Sequence, residues 1–510
     1  MIRYLIVLLI SCCLSEFSYS DQSLYNGSSA QLNQTECPNI KDNLILKAAW
    51  DVIPPYEYKD AGELKGIDLD LLKLYSNIAD IDIEYSKINL PKQLKMLEEG
   101  MIDIALDLSF SEARAEYLHY SIPYREERYS YFMIRDLNNL KFINLSDFLM
   151  NLNLKGLRLG LVQGIVYADP VIQNFFNETI NQRNLKYYEN SEKALEGLLR
   201  GEIDGLIDDQ RIINSLKLKA KFANQIQEID LKIHAPVHIA FSKKTVAIDT
   251  VEKFNNIIKQ ESDSQNYKNI LKEYLLPLNL STNLHKTWFN ILSHLGIICF
   301  AIAGVIVAAK YNTNLLGAII FTFLPTVGGG IVRDLMLNTE KATILFAPTF
   351  VFYILFIAIC GFTFLRFIDY KEDNNNSQNS LIEGVFHICD AIGQGVFIVI
   401  GVAAALINKV GPLELWGPFF AFLSAQGGGM IRDAFIKDKI NVTNSRLLNA
   451  EVSIIWGLIF SYLLTSQLND FDTEYISNII WVTVIGSVTT SLLLNYFKVP
   501  NISFYNTNSL

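Results

Sequence analysis

Gly328-Gly329-Gly330-Ile331-Val332-Arg333-Asp334 is answered further along the chain by Gly427-Gly428-Gly429-Met430-Ile431-Arg432-Asp433. Both strings lie inside long apolar runs. Three successive glycines offer no side chain for packing, and their backbone leaves helical geometry at low steric cost. Freed backbone in a bilayer is tolerated only where protein or water satisfies it, so Gly328, Gly329, Gly330, Gly427, Gly428 and Gly429 are expected near a central pathway. Close helix packing through small residues is the competing reading. Pro325 adds to the first break. Arg333, Asp334, Arg432 and Asp433 would be costly against lipid and are expected to be paired or near water. Neighbours on a helix point about 100° apart, so pairing between the two strings is expected rather than pairing within each.

The duplication reaches further. Phe300-Ala301-Ile302-Ala303-Gly304 corresponds to Phe397-Ile398-Val399-Ile400-Gly401 at nearly the same offset, so the repeat spans three crossings. An odd number of crossings per copy makes the copies inverted, a transporter-like plan. Apolar segments at 288–309, 315–337, 345–366, 385–408, 415–436, 448–466 and 476–495 predict seven helices spanning the lipid bilayer. With the amino-terminal half outside, Lys310, Arg366, Lys371, Lys437, Lys439, Arg446 and Lys498 fall on the cytoplasmic side, against Lys286, Lys341 and Lys409 outside. This bias predicts a cytoplasmic carboxy terminus, with 498–510 as its tail. Asp390, near the start of the fourth crossing, has Ser293 and His294 where a twin would stand; a cation contact and a hydrogen-bonded helix-start carboxylate are both open for it.

Composition differs sharply on either side of Lys286: charged residues concentrate before it and apolar stretches dominate after it. With 510 residues the chain has room for two or three domains. A net charge of −10 and the lack of any basic, aromatic-interleaved block exclude a nucleic-acid partner. The six cysteines form neither a paired framework nor a metal-binding spacing, and no cofactor or metal is expected. Arg3, the apolar run from Tyr4 to Leu14 and Ser18-Tyr19-Ser20 predict a secretory leader over 1–20, while Leu9-Ile10-Ser11-Cys12 leaves a lipoprotein signal open. Residues 21–43 are polar and aperiodic, which predicts a flexible lead-in.

Over 44–276, β-rich runs such as Leu44–Ala49, Ile81–Tyr85 and Arg158–Val162 alternate with helical patterns such as Leu90–Glu99 and Ser191–Arg200. That alternation predicts an α/β domain with largely parallel sheets. Gly100-Met101-Ile102-Asp103 and Gly201-Glu202-Ile203-Asp204 each read as a helix stopping at Gly before a strand, consistent with two comparable lobes and a cleft between them. The lobes are expected at 44–134 with 236–276, and at 135–235, followed by a polar linker over 277–287. Arg114 is suited to a ligand carboxylate, Asp209 to an ammonium, and Trp50 and Tyr56 to apolar walls, although each residue type alone is more often surface or core. No Ser-His-Asp set, zinc spacing or phosphate loop is evident, so catalytic residues are not expected.

Several marks together make 44–276 resemble the family 3 periplasmic solute-binding proteins: Pro54-Pro55-Tyr56-Glu57-Tyr58, Lys65-Gly66-Ile67-Asp68-Leu69-Asp70-Leu71-Leu72, Ser109 through Tyr124, Gly201 through Asp209, and Tyr267 through Leu275. The resemblance implies a two-lobed α/β periplasmic-binding-protein type II fold and a small-molecule ligand, an amino acid or similar. It implies that Ser109 and Arg114 hold the ligand carboxylate, that Gln163, Gly164 and Ile165 form a second-lobe loop, and that Asp209 holds the amine. The family often has an acidic residue where Trp50 stands and a Thr where Ile165 stands. Residues 288–497, with the two GGGxxRD strings, resemble the bacterial glycine-transporter family, whose fold is that of the trimeric intracellular cation channels. This second resemblance implies an all-α seven-helix transmembrane domain with inverted three-helix repeats, a homotrimer, and passage of a monovalent cation or glycine in each protomer.

The expectation is therefore a multi-pass transport protein of the bacterial inner membrane whose periplasmic domain captures a zwitterion and feeds or gates the membrane domain. A ligand sensor without transport is the alternative. An enzyme is not expected.

Overall fold

The computed structural model describes residues 44–134, 145, 148–150, 156–167, 169–177, 182–219, 225–339, 348–368, 377–435, 448–466 and 473–499. The expected leader, the lead-in and the tail from residue 500 lie outside the described residues, as do Lys341, Lys371, Lys437, Lys439 and Arg446.

The first half alternates strands and helices as its periodicity predicts. In order come β1 (Ile45–Trp50), the hairpin strands β2 (Tyr58–Asp60) and β3 (Glu63–Lys65), α1 (Ile67–Ala79), β4 (Asp82–Lys87), α2 (Leu90–Glu99), β5 (Ile104–Leu108), the short α3 (Glu112–Ala115), β6 (Leu118–Tyr120) and β7 (Arg125–Ile134). Then follow β8 (Leu159–Val162), α4 (Pro170–Asn177), β9 (Leu185–Tyr188), α5 (Ser191–Leu199), β10 (Gly205–Asp209), α6 (Gln210–Lys219), β11 (Ile226–Ser242), α7 (Ile248–Glu261) and α8 (Gln265–Leu284). Local chemistry sets the ends: the Asn89 side chain accepts from Lys92 N to start α2, Asn190 does the same from Lys193 N for α5, and Gly100 at φ 78° and Gly201 at φ 71° turn the chain out of their helices.

The strands lie in the order β4-β1-β5-β11-β7-β10-β8-β9, with β6 also on β11. Parallel pairs occupy both flanks, and the long antiparallel β7 and β11 run through the middle. These two strands join the lobes, since β11 pairs with β7 over Ile226–Val237 and with β5 from His238 onward. The first lobe was expected to reach residue 134. From Tyr129 to Phe132, however, β7 pairs with β10 of the second lobe, because a continuous strand can serve two sheets without a break in its backbone ladder. One core cluster holds Leu46, Leu71, Leu72, Tyr75, Phe241 and Phe254 of the first lobe and continues into the second through Phe132, Leu195 and Leu206, and another holds Tyr129, Tyr131, Phe148, Leu161 and Ile207 in the second lobe. Side chains of this size contribute about 1.5–3 kcal/mol each when fully buried.

The polar stretch 277–287, expected as a linker, is helical through Leu284. Leu276 and Leu280 drop into the core of the helical half, and Asn283 is satisfied inside it, donating to Thr473 O at 2.9 Å and accepting from Ser477 Oγ at 2.7 Å. Polar sequence here marks a packed, hydrogen-bonded helix rather than a flexible segment.

The second half is helical: α9 (Thr287–Lys310), α10 (Leu315–Phe323), a π-helical turn over Leu324–Gly328, α11 (Gly329–Met336), α12 (Pro348–Phe367), α13 (Ser377–Ile407), α14 (Leu413–Ala434), α15 (Asn449–Ser466) and α16 (Thr473–Tyr496). Among the described residues, five helices are long and apolar enough to cross a membrane: Thr287–Lys310, Leu315–Met336, Thr349–Phe367, Ser380–Ile407 and Thr473–Tyr496. The two other helices, α14 and α15, carry more polar residues, among them Glu414, Gln426, Arg432, Asp433, Asn449 and Glu451. The duplicated sequence makes duplicated contacts. A Cβ at Gly304 would stand 2.6 Å from Phe321 O, and one at Gly401 would collide with Phe420 O in the same way.

Candidate functional site

Between the two lobes lies a cleft of about 660 Å³, solvent at its mouth included. Ser109 enters it from the end of β5, Arg114 from α3, Gly164 and Ile165 from the turn after β8, and Asp208 and Asp209 from the end of β10. The turn after β8 requires Gly164 at φ 90°, which presents its carbonyl to the opposite lobe. Arg114 Nη2 donates to that carbonyl at 2.5 Å, a direct bond across the cleft.

Trp50, Tyr56 and Gln163 do not line this cleft. Trp50 is buried at the end of β1 with the Lys87 ammonium 5.8 Å from its ring, and the Gln163 side chain is exposed. Tyr56 is completely buried beneath the Arg125 guanidinium, 3.6 Å from ring centre, and its hydroxyl donates to Asp209 Oδ1 at 3.1 Å. It joins the lobes from below the cleft instead of forming its wall. Asp209 is fully engaged: besides Tyr56, it accepts from Arg211 N at 2.9 Å, Ile212 N at 3.0 Å and Arg128 N at 3.0 Å. Its carboxylate starts α6 as a helix cap and holds β7 at the same time.

Sequence reasoning missed the acidic character of the cleft. Among the described residues, Asp51, Asp107, Glu127, Glu189 and Asp208 line it alongside Asp209, with Arg114 the one cation in that lining. Beneath it, Arg125 makes a bidentate pair with Asp68, Nε to Oδ1 at 2.7 Å and Nη2 to Oδ2 at 2.9 Å, and also bonds Asp107 and approaches Glu127. One guanidinium thus serves three carboxylates. The signal available was the alternation Arg125-x-Glu127-x-Tyr129, which puts two charged residues on the same strand face as Tyr129, Tyr131 and Met133. Burial pushes Glu57 up to about 8, with Asp68 adding to the rise, and it also raises Asp107, next to Glu127. Burial likewise pushes Asp208 up to about 7, against the pull of the Ser191 hydroxyl and the Asp209 amide.

In the helical half the two glycine strings meet backbone to backbone. A Cβ at Gly328 would lie 3.2 Å from Gly428 Cα, one at Gly329 would lie 2.6 Å from Leu423 O, and one at Gly428 would lie 2.8 Å from Pro325 O. Gly427 packs toward Gly329, whereas Gly330 and Gly429 face the guanidinium groups three residues on. The first string is broken by the π turn; the second lies in regular helix throughout α14. Next to it, Ser424 Oγ and Gln426 Nε2 are buried with no hydrogen-bond partner among the described residues.

The expected pairing between strings is corrected. Arg333 bonds the adjacent Asp334, Nε at 2.8 Å and Nη2 at 2.6 Å, and Arg432 bonds Asp433 at 2.8 Å. The long arginine stem spans the angle between neighbouring positions, and each pair neutralises itself where it is desolvated. Asp390 accepts from Asn449 Nδ2 at 2.8 Å, beside a polar chain in which Gln394 donates to Asn449 O at 2.5 Å and accepts from Ser491 Oγ at 2.8 Å.

Comparisons with known proteins agree with this division. Residues 46–277 match the bacterial extracellular solute-binding proteins, family 3, and residues 290–367 and 387–465 match the glycine transporter family. A membrane protein of Vibrio cholerae named UPF0126 is 29% identical over 183 residues, 36% of this chain and 71% of its own length. A probable histidine-binding protein of Campylobacter jejuni is 23% identical over 44% of this chain and 81% of its own. Among solved structures, an ancestral arginine-binding protein bound to arginine is 20% identical and covers 45% of this chain and 97% of its own, with a TM-score of 0.39. The chain joins a family 3 solute-binding domain, at its amino-terminal side, to a membrane domain of the glycine transporter family.

Proposed function

We propose that this is a ligand-responsive transport protein of the bacterial inner membrane. The periplasmic cleft captures an amino acid between Arg114 and the acidic end of β10, and its closure alters passage of a monovalent cation or glycine between the two glycine strings. The observation that carries this reading is α8. Its Tyr274 hydroxyl accepts from Gly66 N at 3.1 Å and bonds Asp70 in the first lobe, the helix packs on α6 of the second lobe, and its far end sits in the core of the helical half. Since Asp209 caps the start of α6, a change at the cleft has a route through α6 and α8 toward the membrane domain.

Further contacts favour the same orientation. Lys272 Nζ donates to Thr465 O at 2.7 Å, and Lys409 Nζ lies 5.9 Å from the Tyr274 ring, so the ends of α13 and α15 and the start of α16 gather at the binding domain. These contacts support a reading of seven alternating crossings in inverted repeats with a cytoplasmic carboxy terminus. The assembly is a homotrimer with one pathway per protomer. Gating requires ligand to favour one membrane state by a real free-energy difference. Purified protein in liposomes should therefore show potassium or glycine flux that changes on adding an amino acid to the binding-domain side. Flux indifferent to every amino acid tested contradicts the coupling, and absence of any flux favours a sensor.

A further inference from the structure

A second cavity, of about 1280 Å³ with open solvent included, lies where the binding domain meets the first apolar helix. It is walled by α6 and the start of β11 from the second lobe, by the end of α8 and by the starts of α9 and α16, so neither half of the chain forms it alone. Lys217, Glu228, Asp230, His285, Lys286 and Trp288 give it its character. Asp230 is neutralised by Lys232, whose Nζ lies 2.7 Å from Oδ2. Glu228 accepts from Ser130 Oγ and Asn214 Nδ2, each at 3.2 Å. Among the described lining residues Lys217 and Lys286 then outnumber Glu228. The start of α9, which no side chain caps, turns the positive end of a long helix into the same space. The floor is aromatic: Trp288 stacks on Trp481 with ring centres 5.2 Å apart and planes 26° apart, and Trp481 is 41% exposed. Indoles of this kind sit at the headgroup level of a bilayer. One and two turns further on, Ile291 and Leu295 follow Trp288 on one face of α9, and Ile485 follows Trp481 in α16; all three are exposed on helices apolar enough to cross a membrane. A positively charged pocket thus continues through an indole pair into an apolar track.

We propose that this junction binds an anionic phospholipid, its phosphate on Lys217 of the second lobe and Lys286 at the start of α9, and an acyl chain along the track on α9 and α16. Both ends of such a molecule are matched: phosphate alone meets the lysines and leaves the track bare, and a neutral amphiphile does the reverse. Because Lys217 stands in the binding domain, the lipid ties the second lobe to the membrane domain in addition to α8, and the mobility of that lobe follows the headgroup charge of the surrounding bilayer. Neither end depends on what occupies the inter-lobe cleft.

The test uses the full chain in maltoside micelles, with dioleoyl-phosphatidylglycerol, dioleoyl-phosphatidylcholine and glycerol phosphate as probes and bound molecules counted by native mass spectrometry. Phosphatidylglycerol should bind, and Lys217→Gln should weaken its binding about fivefold, whereas Lys95→Gln, on the surface of α2, should leave it unchanged. Lipid that merely coats the helices ignores a lysine of the binding domain, so equal affinity in Lys217→Gln and Lys95→Gln overturns the inference. Glycerol phosphate binding as tightly as phosphatidylglycerol overturns a lipid as the occupant, and phosphatidylcholine binding as tightly overturns recognition by charge. In the unaltered chain, phosphatidylglycerol should slow amide exchange in α6 and in the first turn of α9. Exchange that stays the same, as when water or a second copy of the chain fills the junction, overturns the inference even where the variants fail to fold.

Discussion

Arg125 is the residue on which the hinge region turns. It is buried with three carboxylates and stacked on Tyr56, so removing it leaves Asp68, Asp107 and Glu127 desolvated and uncompensated. Arg125→Met should destabilise the protein by about 3–5 kcal/mol, read as a lowered unfolding midpoint of the full chain in detergent; a loss below about 1 kcal/mol would show that the carboxylates are hydrated or neutral. The same excess of acid sets a pH dependence. Glu57 at about 8 and Asp208 at about 7 hold protons in the folded state that the unfolded chain releases near 4. Their contribution is full below about pH 4 and fades as pH rises through about 7 to 8. The ligand-free unfolding midpoint should accordingly fall between about pH 6 and 8. A midpoint that rises over this range contradicts the burial described for these two groups.

At the scale of elements, the glycine strings make a close crossing of α14 with the π turn and α11. Gly329→Ala or Gly428→Ala should cost about 1–3 kcal/mol or more, since each new methyl meets backbone oxygens that cannot move aside. Gly384→Ala in α13, where nothing among the described residues lies within 4 Å, should leave the melting temperature unchanged or raised. Equal effects at all three positions would argue that the crossing is loose. Element existence and order were legible because periodicity, Asn caps and stop glycines act locally. The helical nature of 277–284 was not, because Asn279, Ser281 and Asn283 read as loop residues until Thr473 and Ser477 supply their partners. Nor was the self-pairing of Arg333 with Asp334, which depends on side-chain reach rather than on helical angle. In the cleft, Ser109, Arg114, Gly164, Ile165 and Asp209 were readable as motif positions, whereas the Tyr56 bond to Asp209 arises only from a contact between distant parts of the chain.

For the whole molecule, the decisive feature is that α8 belongs to both halves. It is tied to the first lobe through Tyr274 and Tyr267, whose hydroxyl donates to Tyr124 O at 3.0 Å, and to the helical half through Lys272 and Asn283. Only His285 and Lys286 separate it from α9. On the proposed reading, a ligand that closes the lobes acts on a helix anchored in both halves, and such an anchor is what would carry a binding free energy into a shift between membrane states. The most direct measurement is amino-acid-dependent flux in proteoliposomes, comparing the natural chain with one carrying a flexible Gly-Ser insertion after His285. An amino acid that both chains bind alike should alter flux through the natural chain and leave the inserted chain unresponsive; an undiminished response after the insertion would contradict the account.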